Sequence, residues 1–205
     1  MIDPSVLPAF VAAALALNLT PGADMMFCLG QGLRSGPRAA MAASAGISAG
    51  VVITGAVAGL GLGAAVAALP WLFDAIRWVG VGYLLWLAVA AVRQGAAAQV
   101  LRVPATRAFR TGLIVNLTNP KVILFVLAFV PQFVDPAAGP ILGQFLIFGA
   151  ILGLGGLAIN AAVGVFAGGA GRRLTGSAPL RRALGWISGG VFAALALRLA
   201  MMERS

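Results

Sequence analysis

The amino-acid sequence predicts an all-α membrane protein of six transmembrane helices, arranged as two inverted-topology repeats of three helices each. Three observations carry this expectation. The chain is 61% hydrophobic and only 9% charged, with a mean hydropathy of +1.02. A soluble domain carries about 25% charged residues, so too few polar groups are present to cover a water-facing surface. The apolar residues also gather into runs of the length a bilayer requires, about 20 residues, without the roughly ten-residue alternating strands of an outer-membrane barrel. Finally, a polar, proline-bearing motif occurs twice, as Asn18-Leu19-Thr20-Pro21 and Asn116-Leu117-Thr118-Asn119-Pro120, close to half the chain length apart.

Spans are expected at about Ser5–Gly30, Ala39–Leu69, Leu72–Val92, Thr111–Val134, Ile141–Ala170 and Leu184–Met202. The first holds the first motif and Asp24. It follows Met1-Ile2-Asp3-Pro4, which lacks the basic region of a cleavable signal, so it is expected to remain as a helix. The second and fifth runs exceed a straight span, which points to tilt or an extramembrane end. Trp78 and Gly82 in the third run are echoed by Trp186 and Gly190 in the sixth. The fourth run carries the second motif and Lys121. Glycines four apart (Gly46 and Gly50, Gly55 and Gly59, Gly149 and Gly153, Gly185 and Gly189) let helix backbones approach closely. They serve packing within one chain or association of copies into a homo-oligomer.

The basic residues fix an expected orientation. Arg34 and Arg38 lie between the first and second runs. Arg93, Arg102, Arg107 and Arg110 lie between the third and fourth, and Arg172, Arg173, Arg181 and Arg182 between the fifth and sixth. The connectors around Pro70 and Asp135-Pro136 carry none. By the positive-inside rule the three arginine-bearing connectors are cytoplasmic and both termini lie outside the cytoplasm. The expected organisation is a single domain over 1–205, with one repeat at about 5–92, a cytoplasmic linker at about 93–110 and a second repeat at about 111–202. Three spans per half make the second half enter the membrane from the opposite side.

Composition also narrows the chemistry. The net charge of +9 is spread between apolar runs, as lipid topology requires, and not clustered as in a nucleic-acid-binding domain. The sequence has one cysteine and no histidine. It therefore offers no intrachain disulfide, no His/Cys zinc site and no Ser-His or Cys-His nucleophile. A membrane-embedded enzyme is a poor fit, and no cofactor or metal is expected. A divalent-metal exporter is an alternative, but Asp24 is the only carboxylate well inside the apolar runs.

The candidate site follows from what a broken helix leaves unsatisfied. Proline removes a backbone donor and frees a carbonyl one turn earlier. Such breaks inside a membrane are tolerated where they are buried in protein or line a cavity. The new helix N-terminus suits a carboxylate. Freed carbonyls and the side chains of Asn18, Thr20, Asn116 and Asn119 suit an ammonium group. Pro21, Gly22, Pro120 and Lys121 complete the set expected to bind a small zwitterionic substrate. Asp24 and Lys121, ionisable in apolar runs, are costly there unless they face a polar cavity or each other. The alternative is that the prolines only kink packed helices while Asp24 and Lys121 snorkel to the interfaces.

At these residues the sequence resembles the LysE/RhtB family of bacterial amino-acid exporters. The likeness rests on Asn18 to Asp24 leading to Gly32-Leu33-Arg34-Ser35-Gly36, on Arg77 to Leu84, and on Asn116 to Lys121 leading to Phe129-Val130-Pro131-Gln132-Phe133. It implies a six-helix inner-membrane exporter of small amino acids or their analogues, driven by the proton gradient. In an exporter whose halves rock around a midplane site, Asp24 is the expected proton-linked carboxylate. Ala23 stands where the family usually has a second proline, so the first break is expected to differ in detail.

Overall fold

The computed structural model describes residues 2–68, 71–93, 104–167 and 178–201. All regular structure among them is helical. A 3-10 turn at Pro4–Val6 leads into α1 (Leu7–Leu19). Then follow α2 (Ala23–Ser35), α3 (Pro37–Ala68), α4 (Trp71–Arg93), α5 (Ala108–Leu117), α6 (Pro120–Ala128), α7 (Ile141–Ala167) and α8 (Ala178–Met201). The arginine-bearing stretches at 94–103 and 168–177, and the side chains of Trp71, Arg77 and Arg198, lie outside the described residues.

The helix ends follow local chemistry. The first span runs to Ser35, beyond the expected end at Gly30, and stops where Gly36 takes a φ of +84°. Glycine adopts that conformation without the Cβ clash other residues meet. Pro37 then opens α3 at the first helical position, where its missing N–H leaves nothing unpaired. The run expected as the fourth span ends its α-helix at Ala128, short of the expected Val134. Pro131 cannot continue the ladder, and the chain passes into a 3-10 turn at Val130–Phe133. The sixth helix starts at Ala178, before the expected Leu184. It runs through Arg181 and Arg182, which are good helix formers that the hydropathy of a span does not include.

By length and apolarity, α3 (over Pro37–Gly61) and α7 are each able to cross a membrane. The segments around α1–α2 and α5–α6 are bent pairs. Each passes the same test as a single interrupted span, which raises the number to four. Both pairs bend by 52°.

Glycines bring the backbones together. A Cβ on Gly32 of α2 would lie 1.8 Å from the Gly164 carbonyl oxygen of α7, and one on Gly112 of α5 would lie 2.4 Å from the Ala43 carbonyl oxygen of α3. Gly46 backs onto Phe109, Gly59 onto Phe145, Gly153 onto Ser48, and Gly189 onto Val92 and Ala88. The described glycines of these pairs face neighbouring segments of the same chain; the surroundings of Gly185 lie outside the described residues. Hydroxyls add links between α3 and α7: Ser44 Oγ donates to the Leu157 carbonyl (2.9 Å) and Ser48 Oγ to that of Gly153 (3.0 Å). Phe10, Phe125, Phe129, Phe133 and Phe148 form a cluster of edge-on and tilted ring contacts, with centroids 4.5–6.0 Å apart. Large apolar side chains such as Val57, Leu60, Leu154, Phe166 and Trp186 stay on the outside, as a lipid-facing surface requires.

Gly32→Ala is expected to force α2 and α7 apart and to destabilise the protein by about 1–3 kcal/mol, the usual size of overpacking. Gly82→Ala, with no neighbour within 4 Å of the added methyl, should leave stability unchanged or slightly raised. Thermal unfolding of both variants in the same detergent measures the difference.

Candidate functional site

The two motif copies form the two helix breaks, and the fold brings the breaks together. At the first, α1 ends at Leu19, Thr20 is extended, and α2 restarts after Gly22. At the second, α5 ends at Leu117 and α6 restarts at Pro120, which occupies the first helical position. The threonines behave alike. Thr20 Oγ1 donates to the Ala16 carbonyl (2.6 Å) and Thr118 Oγ1 to the Ile114 carbonyl (2.8 Å), each one turn back. Such back-bonding occupies a helix-end carbonyl and favours bending.

The asparagines divide the remaining work. Asn116 Nδ2 donates to Asp24 Oδ2 at 2.8 Å, joining the end of α5 to the first turn of α2. Asp24 is 8% exposed and Asn116 is fully buried. A carboxylate placed at a helix N-terminus gains from the positive end of the helix dipole. Asn119 Oδ1 accepts the Lys121 N–H (3.0 Å) and so caps α6. Asn18 is turned away from the other break: its Nδ2 donates to the Leu152 carbonyl of α7 (3.1 Å), and it lies against Gly155 and Gly156.

Asp24 and Lys121, which the sequence allowed to face each other, take separate partners. Asp24 takes Asn116, while Lys121 Nζ donates to the Leu17 and Thr20 carbonyls, each at 2.9 Å. Gly22 stands beside this ammonium, where a Cβ would lie 3.2 Å from Nζ. Pro21 and Gly22 thus shape the gap that Lys121 enters. Both ionisable groups are held at the breaks.

Among the described residues, several buried polar atoms have no hydrogen-bond partner, including Asp24 Oδ1, Asn116 Oδ1 and Asn119 Nδ2 at the breaks, and Asn160 Oδ1 and Gln31 Oε1 elsewhere. Buried polar groups are nearly always paired, so such a group calls for an explanation. The Asn116 amide turns its Nδ2 to Asp24, which leaves its Oδ1 without a partner. Gly50 makes room for it, since a Cβ there would meet Asn116 Oδ1 at 2.7 Å. Asn160 lies one turn before Gly164, whose backbone packs on the Cys28 carbonyl one turn after Asp24. Gln31, 1% exposed, was not singled out from the sequence. The signal for it is the spacing Asp24, Cys28, Gln31, which places all three on one face of α2.

The chain is similar to several known proteins. The model of the LysE type translocator family matches residues 15–203. A homoserine/homoserine lactone efflux protein of Salmonella typhimurium is 34% identical over 145 residues, covering 69% of this chain and 70% of the relative. A leucine efflux protein of an Enterobacter species (strain 638) is 31% identical over 150 residues, 71% of each chain. An uncharacterized membrane protein of Vibrio cholerae is 32% identical over 152 residues, 72% of this chain and 74% of the relative. No solved structure matches. The chain belongs to the LysE type translocator family.

Proposed function

We propose that this protein is an inner-membrane secondary exporter of small amino acids or their analogues, driven by protons, with its transport site between the two helix breaks. The relatives named as homoserine and leucine efflux proteins support the substrate class. One observation carries the site. The 2.8 Å hydrogen bond from Asn116 to Asp24 ties the breaks together and leaves an unpartnered acceptor oxygen on each residue.

The chemistry follows from those two oxygens. A substrate ammonium has three N–H donors, and Asp24 Oδ1 and Asn116 Oδ1 are both acceptors. The first-turn N–H groups of α2, which lack intrahelical acceptors, suit the substrate carboxylate. A proton bound at Asp24 Oδ1 would turn that acceptor into a donor and cancel its charge. The proton and the substrate ammonium then compete for one atom, and mutually exclusive occupancy is what an antiporter requires. Alternating access follows if the two occupancies favour opposite-facing conformations.

The order of contacts supports inverted repeats. Asp24, after the first break, meets Asn116, before the second; Lys121, after the second, meets Leu17 and Thr20, around the first. The chains therefore cross in opposite directions, as two halves inserted from opposite sides would. If α4 and α8 are spans as well, the positive-inside rule supports arginine-bearing connectors in the cytoplasm and both termini outside.

Everted vesicles carrying the wild-type protein should take up a small neutral amino acid when a proton gradient is imposed. Asp24→Asn should lower that uptake at least tenfold while the protein still inserts; undiminished uptake would remove the proton role. A panel of amino acids and toxic analogues, scored for resistance on overexpression, should give protection against some members, and failure across the whole panel would contradict the substrate class. A peptide tag at the N-terminus should be reached by protease from outside intact spheroplasts, and protection there would reverse the orientation.

A further inference from the structure

Pro21 has no N–H, so the Leu17 carbonyl, one turn earlier, loses its helical donor. The nearby groups of α1 do not replace it. Thr20 N–H and Thr20 Oγ1 both go to the Ala16 carbonyl. The Leu17 and Thr20 carbonyls are instead met by one cation, the Lys121 ammonium, at 2.9 Å each. They lie at the C-terminal end of α1, where the helix dipole is negative. Oxygens of this kind, at the end of a half-helix inside a membrane protein, are the ligands that hold a small monovalent cation.

Lys121 is aimed into this gap by its own backbone. Its N–H donates to Asn119 Oδ1 (3.0 Å), and its carbonyl accepts from Tyr83 Oη of α4 (2.9 Å). Pro120 fixes the start of α6 immediately before it. The opposite wall is Gly22, whose bare Cα leaves space for Nζ. Gly22 has φ −164° and ψ −172°, extended backbone that any residue adopts. A glycine here therefore answers to the room the ammonium needs and not to backbone strain.

We propose that Lys121 is a built-in cation: its ammonium fills a carbonyl-lined monovalent-cation site at the break of the first helix, and that site binds a free primary ammonium ion when the side chain is cut back. Lys121 is then a positioning residue that holds the broken ends of α1 in place from the other half of the molecule. The substrate and the proton are left to Asp24 and Asn116. The transport consequence rests on the proposed exporter function; the cation site itself does not.

The test uses the full-length protein purified in detergent and reconstituted in vesicles. Lys121→Ala removes Cγ to Nζ, the atoms of one propylammonium ion. The variant is expected to lose at least tenfold in transport and to melt at a lower temperature. Propylammonium should raise both transport and melting temperature saturably. Tetramethylammonium, which has no N–H to donate, should do neither at equal concentration, and wild type should respond to neither ion. A variant with wild-type transport and melting temperature would overturn the proposal, as would equal recovery with tetramethylammonium.

Gly22→Val provides a second route if Lys121→Ala does not accumulate. It places bulk against Nζ and should lower transport several-fold and reduce the melting temperature; no change in either would overturn the proposal. If wild type moves no amino acid, the exporter reading fails. The melting-temperature response of Lys121→Ala to propylammonium then decides the cation site alone.

Discussion

Inside a bilayer a backbone N–H or C=O has no water to bond, so each must find its partner within the protein. This constraint bears most heavily where Pro21 interrupts the first span. The Leu17 carbonyl is freed there, and the chain turns through Thr20 and Gly22 before α2 restarts. The partner comes from the other half of the molecule, as the Lys121 ammonium. The interruption is closed by a long-range contact, and that contact brings the second break against the first.

The rest of the architecture makes this approach feasible. The α2–α7 and α3–α5 contacts run backbone to backbone through Gly32, Gly164, Gly112 and Gly46. With no hydrophobic drive between helices in lipid, close van der Waals contact and a few hydroxyl bonds hold the bundle. Ser44 and Ser48 provide such bonds between α3 and α7. The close packing seats Asn116 beside Asp24 with only a glycine, Gly50, behind it. The same asparagine that satisfies one carboxylate oxygen leaves an unpartnered acceptor on each of the two residues.

Much of this was legible in the sequence because the strongest signals are local. A proline next to Asn and Thr inside an apolar run announces a break wherever the run packs, and both copies break where the motif stands. The ends of spans were less legible. Hydropathy stops at polar residues, yet α2 continues through Gln31 and Arg34, and α8 begins among arginines, because helical propensity does not follow lipid solubility. Partner choice was not legible at all. Asn18 and Asn116 head equivalent motifs, but Asn18 turns to the Leu152 carbonyl and Asn116 to Asp24. The separate engagement of Asp24 and Lys121 likewise depends on which carbonyls the fold leaves open, a tertiary property with no trace in spacing. The glycine pairs were legible as packing devices, but not as to which helices they join.

The central claim is that the two breaks act as one site through Asp24 and Asn116. A double-mutant cycle on thermal stability, using Asp24→Ala, Asn116→Ala and the double variant, tests it most directly. A hydrogen bond to a charged group contributes about 1.5–3 kcal/mol, so the account predicts a coupling energy of at least about 1 kcal/mol between the two positions. Additive losses, within the roughly 0.3–0.5 kcal/mol seen for independent sites, would contradict it.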